Sequence, residues 1–181
     1  MTIADTYASL AGMLDYPAGK EELQTAYAVV SGFMDERRMD SSIADFADFV
    51  AASPLATLQE EYVATFDFNP ATAPYLGHHL FGDNQKKGGY MIGLKQEFNR
   101  HGFAPAGNEL PDHLCVLLGF LAHLARVEND AARRTFIAES VLPGMERLTA
   151  VFADRKNSPW EPVIEAAGLL CAADSKEVAP C

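Results

Sequence analysis

Few residue types in this chain could carry chemistry. The five histidines are His78, His79, His101, His113 and His123. His78 and His79 are neighbours and cannot point the same way on a helix or a strand. No HExxH or HxxxH pair occurs, and no Cys/His set has zinc spacing. Ligands from distant segments could still meet, carboxylates included, but no spacing selects them, so neither a metal nor a resident cofactor is expected. Asp112-His113 sets a carboxylate beside an imidazole, the makings of an orienting group and a general base. A metal-dependent hydrolase could use the pair, with His79 as a third member. A structural reading is simpler. A carboxylate in the first turn after Pro111 suits the helix dipole, and His113 then packs or bonds to the preceding loop. There is no nucleophile elbow, Walker loop or dinucleotide fingerprint, and the run from Gly88 to Gly93 lacks the GxGxxG spacing. No catalytic residue is therefore assigned.

The elements that must position these groups read as helices throughout. Ile3, Tyr7, Leu10 and Leu14 share a face behind Thr2 and Asp5, a capping-box start, and Tyr16-Pro17 stops that helix. Leu23, Tyr27, Val30 and Met34 mark a second helix, and Ile43, Phe46 and Phe49 a short third. Ser53-Pro54 opens a fourth with Leu55, Leu58, Tyr62 and Phe66 inward, ended by Asn69-Pro70. A fifth runs from about Asp83 to His101, weakened by its glycines. Pro111 opens a sixth, apolar on nearly every side from Leu114 to Leu124, which belongs at the centre of a bundle. A seventh spans about Asp130 to Arg155, with a kink or split expected at Pro143-Gly144. Ser158-Pro159 opens the last. No window alternates like a strand. The expectation is an all-α, single-domain bundle of about seven to nine helices over residues 1–172, with a flexible tail at 173–181.

With 181 residues and 49% hydrophobic side chains the chain can bury one sizeable core. The longest apolar run is too short to cross a bilayer, and the N-terminus has no basic region of a secretion signal, so no membrane insertion and a cytoplasmic location are expected. The formal net charge is −11. Residues 1–67 carry 12 acidic and only 3 basic side chains, which argues against nucleic acid and would draw in a basic peptide. Acidity also simply keeps proteins dissolved. Cys115, Cys171 and Cys181 are odd in number and lack a CxxC, so a disulfide framework is not expected.

One segment does not fit a plain bundle. Residues 69–82 form a long connection carrying Tyr75, Leu76, His78, His79, Leu80 and Phe81. Such a connection is either packed, as an Ω-loop or an extra short helix, or is a recognition surface.

Three strings taken together resemble a known family: Glu61-Tyr62-Val63-Ala64-Thr65-Phe66-Asp67; His79-Leu80-Phe81-Gly82-Asp83 followed by Gly88; and Glu109-Leu110-Pro111-Asp112-His113-Leu114. They are similar to the nitrate reductase delta-subunit family, the NarJ-type assembly chaperones of molybdenum enzymes, within the wider group that serves trimethylamine-oxide and dimethyl-sulfoxide reductases. The likeness covers roughly residues 5–125. It implies an all-helical cytoplasmic chaperone, not an enzyme. Such a protein binds the N-terminal segment of an apo catalytic subunit, most simply that of respiratory nitrate reductase, until the molybdenum cofactor is inserted. Proteins of molybdenum-cofactor biosynthesis are further implied partners. The resemblance places the peptide-binding site at Asp112 and His113, with Glu109 and Pro111, and extends it to Tyr62, Phe66 and Phe81. Tyr75 and His79 join them as aromatic members of the loop. The branch commonly places an acidic residue after the Asp-His string where this chain has Leu118-Gly119-Phe120, so selenate, perchlorate and other reductases stay open as clients. A monomer and a helix-swapped dimer are both compatible with the hinges at Gly88-Gly89 and 69–82.

Overall fold

The computed structural model describes residues 1–154 and 158–176. Its helices are α1 (Ile3–Met13), α2 (Lys20–Glu36), α3 (Ile43–Ala52), α4 (Leu55–Tyr62), α5 (Leu76–Phe81), α6 (Lys86–Arg100), α7 (Leu114–Arg126), α8 (Asp130–Phe136), α9 (Leu142–Asp154) and α10 (Glu161–Asp174). Among the described residues the only extended pairing is an isolated antiparallel bridge between Tyr75 and His113. The all-α expectation stands.

The apolar helix α7 lies at the centre, with Leu114, Leu117, Leu118, Phe120, Leu121 and Leu124 buried. Helix α1 packs along it and pairs with α2. Thr2 and Asp5 close the capping box that starts α1. Around Phe120, midway along α7, the rings of Phe98, Phe103 and Phe136 meet edge to face or tilted. A second ring cluster surrounds Trp160, whose indole N–H donates to the Met13 carbonyl at 2.9 Å. The largest departure from sequence expectation in the core is a buried ionic knot joining α8 to α10. Arg133 is 2% exposed and donates to both oxygens of Asp174, which also accepts from the Tyr7 hydroxyl.

Several boundaries differ from the sequence reading. The connection 69–82 contains helix α5. The helix expected from Pro111 begins at Leu114, because His113 caps it by accepting from the Cys115 N–H; residues 111–113 form a turn ahead of it. No split occurs at Pro143-Gly144. Proline has no N–H to give the carbonyl a turn earlier, and the ladder instead re-registers upstream as a π-helical turn, Ile137–Val141, with the Leu142 N–H bonded to the Ile137 carbonyl. A matching π turn, Val63–Asp67, extends α4. The seventh helix's expected end near Arg155 lies outside the described residues, as do 177–181 with Cys181. Helix α10 runs to Asp174, past the boundary placed at 172. No described helix is long and apolar enough to cross a membrane.

Candidate functional site

The Asp-His string and the aromatic connection, read as separate features, are in contact. The Leu76 N–H donates to the Asp112 carbonyl at 3.0 Å and the Leu114 N–H to the Pro74 carbonyl at 2.8 Å, which makes the Tyr75–His113 bridge. Asp112 Oδ2 accepts from the Gly77 N–H at 3.1 Å. A Cβ on Gly77 would lie 2.6 Å from that oxygen, so only glycine allows this approach. On the other side a Cβ on Gly144 would sit 2.8 Å from the Leu76 Cβ. Helix α5 is thus pressed onto the turn ahead of α7 and onto α9 at two glycines.

This contact closes over Asp112, where the resemblance places the peptide-binding site. The side chain is 0% exposed, and Oδ1 has no hydrogen-bond partner. Pro111, Tyr62 and Phe66 are buried as well and offer no surface to a partner in this conformation. Nor do Asp112 and His113 act as a dyad. The carboxylate is bonded to Gly77, while His113 Nδ1 accepts from the Cys115 N–H, which leaves the ring proton on Nε2. Burial holds His113 below the usual imidazole range, opposed by Glu109, Asp15, Asp112 and Asp67. Burial raises the Asp112 carboxyl, against the pull of Lys87 and the Gly77 N–H.

A raised carboxyl pKa in the folded state has a testable consequence. The stability tied to Asp112 is full below the unfolded value of about 3.8 and is lost as pH climbs through the folded value. Asp112→Asn keeps the acceptor for Gly77 and removes the buried charge. It is expected to raise the melting temperature at pH 7 and to leave it unchanged at pH 3; a lower Tm at pH 7 contradicts this account.

The other expected site residues lie on or beside α5. The Tyr75 ring meets His113 edge-on at 5.0 Å, and its hydroxyl donates to Glu109 Oε2 at 3.0 Å. Burial and that bond push the hydroxyl up to about 12. His79 Nε2 bonds the Ala73 carbonyl at 2.7 Å, and burial lowers its pKa. Arg147 donates to the His79 and Leu80 carbonyls. Phe81 stacks at a tilt on Tyr90. Elsewhere His123 bonds the His101 carbonyl. Among the described residues no three His, Cys, Asp or Glu side chains gather as a metal site. Cys115 packs half-buried in α7, its thiol pushed up to about 12 by burial.

The open surface lies next to this closed one. Tyr62 is locked by its hydroxyl bond to the Leu14 carbonyl at 3.0 Å and by ring contacts with Phe66 and Trp160. That lock holds the end of α1 so that Asp15 and Tyr16 point outward, Tyr16 edge-on to Tyr62. The π turn after Tyr62 does the same for the next pair. The Phe68 N–H reaches back to the Val63 carbonyl at 3.0 Å, and Phe68 is left 81% exposed. Between Tyr16, Val63 and Phe68 lies a cleft of about 510 Å³, rimmed by Gln59 and Glu60. Asp15 and Asp67 are exposed directly before Tyr16 and Phe68, and Glu109 is exposed three residues before Asp112, where it accepts from the Tyr75 hydroxyl. Among the described residues none of the three pairs with a lysine or arginine. An apolar trough with unpaired carboxylates at its edge suits a cationic, amphipathic peptide. Sequence reasoning used Tyr16-Pro17 and Asn69-Pro70 only as helix stops. The missed signal was an acid followed by an aromatic at two helix ends, Asp15-Tyr16 and Asp67-Phe68.

The model of the family described as nitrate reductase delta subunit matches residues 35–165. A Bacillus subtilis protein named as a nitrate reductase molybdenum cofactor assembly chaperone, NarJ, is 31% identical over 133 residues, 72% of this chain and 70% of its own. The Escherichia coli K12 protein of the same name is 35% identical over 81 residues, 45% of this chain and 34% of its own. The crystal structure of an Archaeoglobus fulgidus protein described as a redox enzyme maturation protein superimposes with a TM-score of 0.55, over 96% of this chain and 91% of that one. At 19% identity it supports the fold alone.

Proposed function

The chain belongs to the nitrate reductase delta subunit family, and from that premise we propose that it is an assembly chaperone for nitrate reductase, a binding protein rather than a catalyst. It holds the N-terminal segment of the apo catalytic subunit in the cytoplasm while the molybdenum cofactor is inserted. The observation that carries this reading is the Bacillus subtilis relative, which is named for nitrate reductase molybdenum cofactor assembly and aligns over most of both chains. The surface supports it physically. The Tyr16–Phe68 cleft offers apolar area for affinity, and Asp15, Asp67 and Glu109 offer carboxylates for direction. Net charge of −11 adds long-range attraction for a basic segment.

Calorimetry tests the proposal directly. A peptide of the client's first ~15–30 residues, a length suited to a helix laid in a groove, should bind with an affinity that falls as salt rises, because the carboxylates involved are exposed to screening. If neither the peptide nor the apo-subunit binds, the chaperone reading is lost.

A further inference from the structure

Residues 69–82 are fastened to the bundle in an unusual way. Only Thr72, Pro74, Leu76 and Gly77 are buried; Tyr75 and His78 to Phe81 stay partly exposed. Polar bonds do the rest. The Thr72 hydroxyl donates to the Thr65 carbonyl, Gly77 and Leu76 donate to Asp112, Tyr75 donates to Glu109, and Arg147 ties the far end. Segments held this way open locally at lower free energy than the core. Their hinge points are present. Asn69-Pro70 begins the segment, and Gly82 ends it at φ +56.

The fastenings run into the client cleft. Thr65 belongs to the π turn that carries the cleft wall, and Phe68 immediately precedes the segment. Glu109 is held by the Tyr75 hydroxyl and, like Asp15 and Asp67, acts electrostatically on Tyr62, the ring against which Tyr16 packs. The closed state also carries a penalty, since it shuts Asp112 away from water with one oxygen lacking a donor.

We propose that residues 69–82 are an autoinhibitory strap, closed over Asp112 with Tyr75 occupying the Glu109 carboxylate, and that a basic client segment displaces Tyr75 from Glu109 and lifts the strap. This rests on the client-cleft reading above. A guanidinium or ammonium on Glu109 adds a full opposite charge, and for arginine a second parallel bond, where the Tyr75 hydroxyl gives a single bond. Losing that tether weakens the Tyr75–His113 bridge, and with it the two backbone bonds that flank it. The opened strap exposes the Asp112 carboxylate, which then gains donors from water or from a second client cation.

Positions 75 and 113 allow the strap to be locked. They form the close, non-hydrogen-bonded pair of an antiparallel bridge, with a Cα separation of about 4.5 Å, within reach of a disulfide. In a chain with Cys115 and Cys181 changed to alanine, the Tyr75→Cys, His113→Cys double variant is titrated with the client's N-terminal peptide, oxidised and then reduced. The oxidised form should bind at least about ten-fold more weakly than the reduced form, the smallest effect that one lost charge-assisted contact predicts. Equal affinities overturn the strap while leaving the chaperone reading intact, and a wild-type chain that binds no peptide overturns that reading and the strap together. A second measurement needs no cysteines. Saturating peptide should speed amide exchange at Leu76, Gly77 and Leu114 in the wild-type chain, and Tyr75→Phe should tighten peptide binding several-fold. Exchange that slows, or Tyr75→Phe binding no tighter than wild type, counts against the strap.

Discussion

Replacing Asp174 by alanine is expected to cost about 3–5 kcal/mol of unfolding free energy, the range for removing one partner of a buried ion pair. The Arg133 guanidinium donates to its two carboxylate oxygens at 2.7 and 2.9 Å, and the Tyr7 hydroxyl adds a third bond at 2.9 Å. These bonds join α8, α10 and α1 at a point closed to water. Without Asp174 the buried guanidinium retains its bond to the exposed Asp130, which puts the expected loss toward the lower end. For a domain of this size each kcal/mol moves the melting temperature by about 2–4 °C, so a drop of roughly 6–20 °C should appear in thermal denaturation followed by circular dichroism. Arg133→Met combined with Asp174→Leu should recover much of it, because two apolar side chains leave no charge stranded. A loss below about 1 kcal/mol for Asp174→Ala, the scale of an exposed pair, would show that the knot is solvated.

Asp174 also illustrates where a sequence stops being readable. The run from Ala173 to Lys176 carries no apolar periodicity, and sequence alone assigns it to the tail. Its role comes from partners 41 and 167 positions away. By contrast α7 was legible from its own residues, since a stretch apolar on every side has nowhere to go but the centre. The start of α1 was legible from Thr2 and Asp5 for a similar, local reason. The two π turns were not. Each frees a backbone carbonyl that a distant side chain satisfies, Thr65 by the Thr72 hydroxyl and Ser140 by the Tyr90 hydroxyl at 2.7 Å. A slip in the helical ladder that depends on such a partner leaves no trace in the periodicity. Helix α5 is likewise too short to form from local propensity; it exists because Gly77 and Gly144 let it press against its neighbours.

The same distinction holds for the candidate site. Acidity over residues 1–67 and the position of Asp112-His113 at the mouth of α7 were visible in the sequence. That the 69–82 segment folds back and seals Asp112 was not, because the sealing bonds are mostly backbone N–H groups, which every residue type shares. Tyr16, Phe68 and the adjoining Asp15 and Asp67 are exposed, and of the nine residues named from sequence only Glu109 is fully exposed.

Phe68→Ala should therefore weaken client-peptide binding by about 2 kcal/mol, roughly thirty-fold, the loss expected when one aromatic anchor is cut from a groove. The ring is 81% exposed and has no role in the core, so stability should move by no more than about 0.5 kcal/mol. That separation makes the variant more informative than Tyr16→Ala, which also removes a ring contact with Tyr62, or Phe66→Ala, which opens the cluster around Trp160. Asp67→Asn, one residue away, should act differently, with a smaller loss of affinity, a slower association rate and a flatter dependence on salt. Paired calorimetry and stopped-flow on the two variants distinguish apolar anchoring from electrostatic steering at adjacent positions. Wild-type affinity in Phe68→Ala would remove the cleft from the client's path, since no other ring at its edge is as free of the fold.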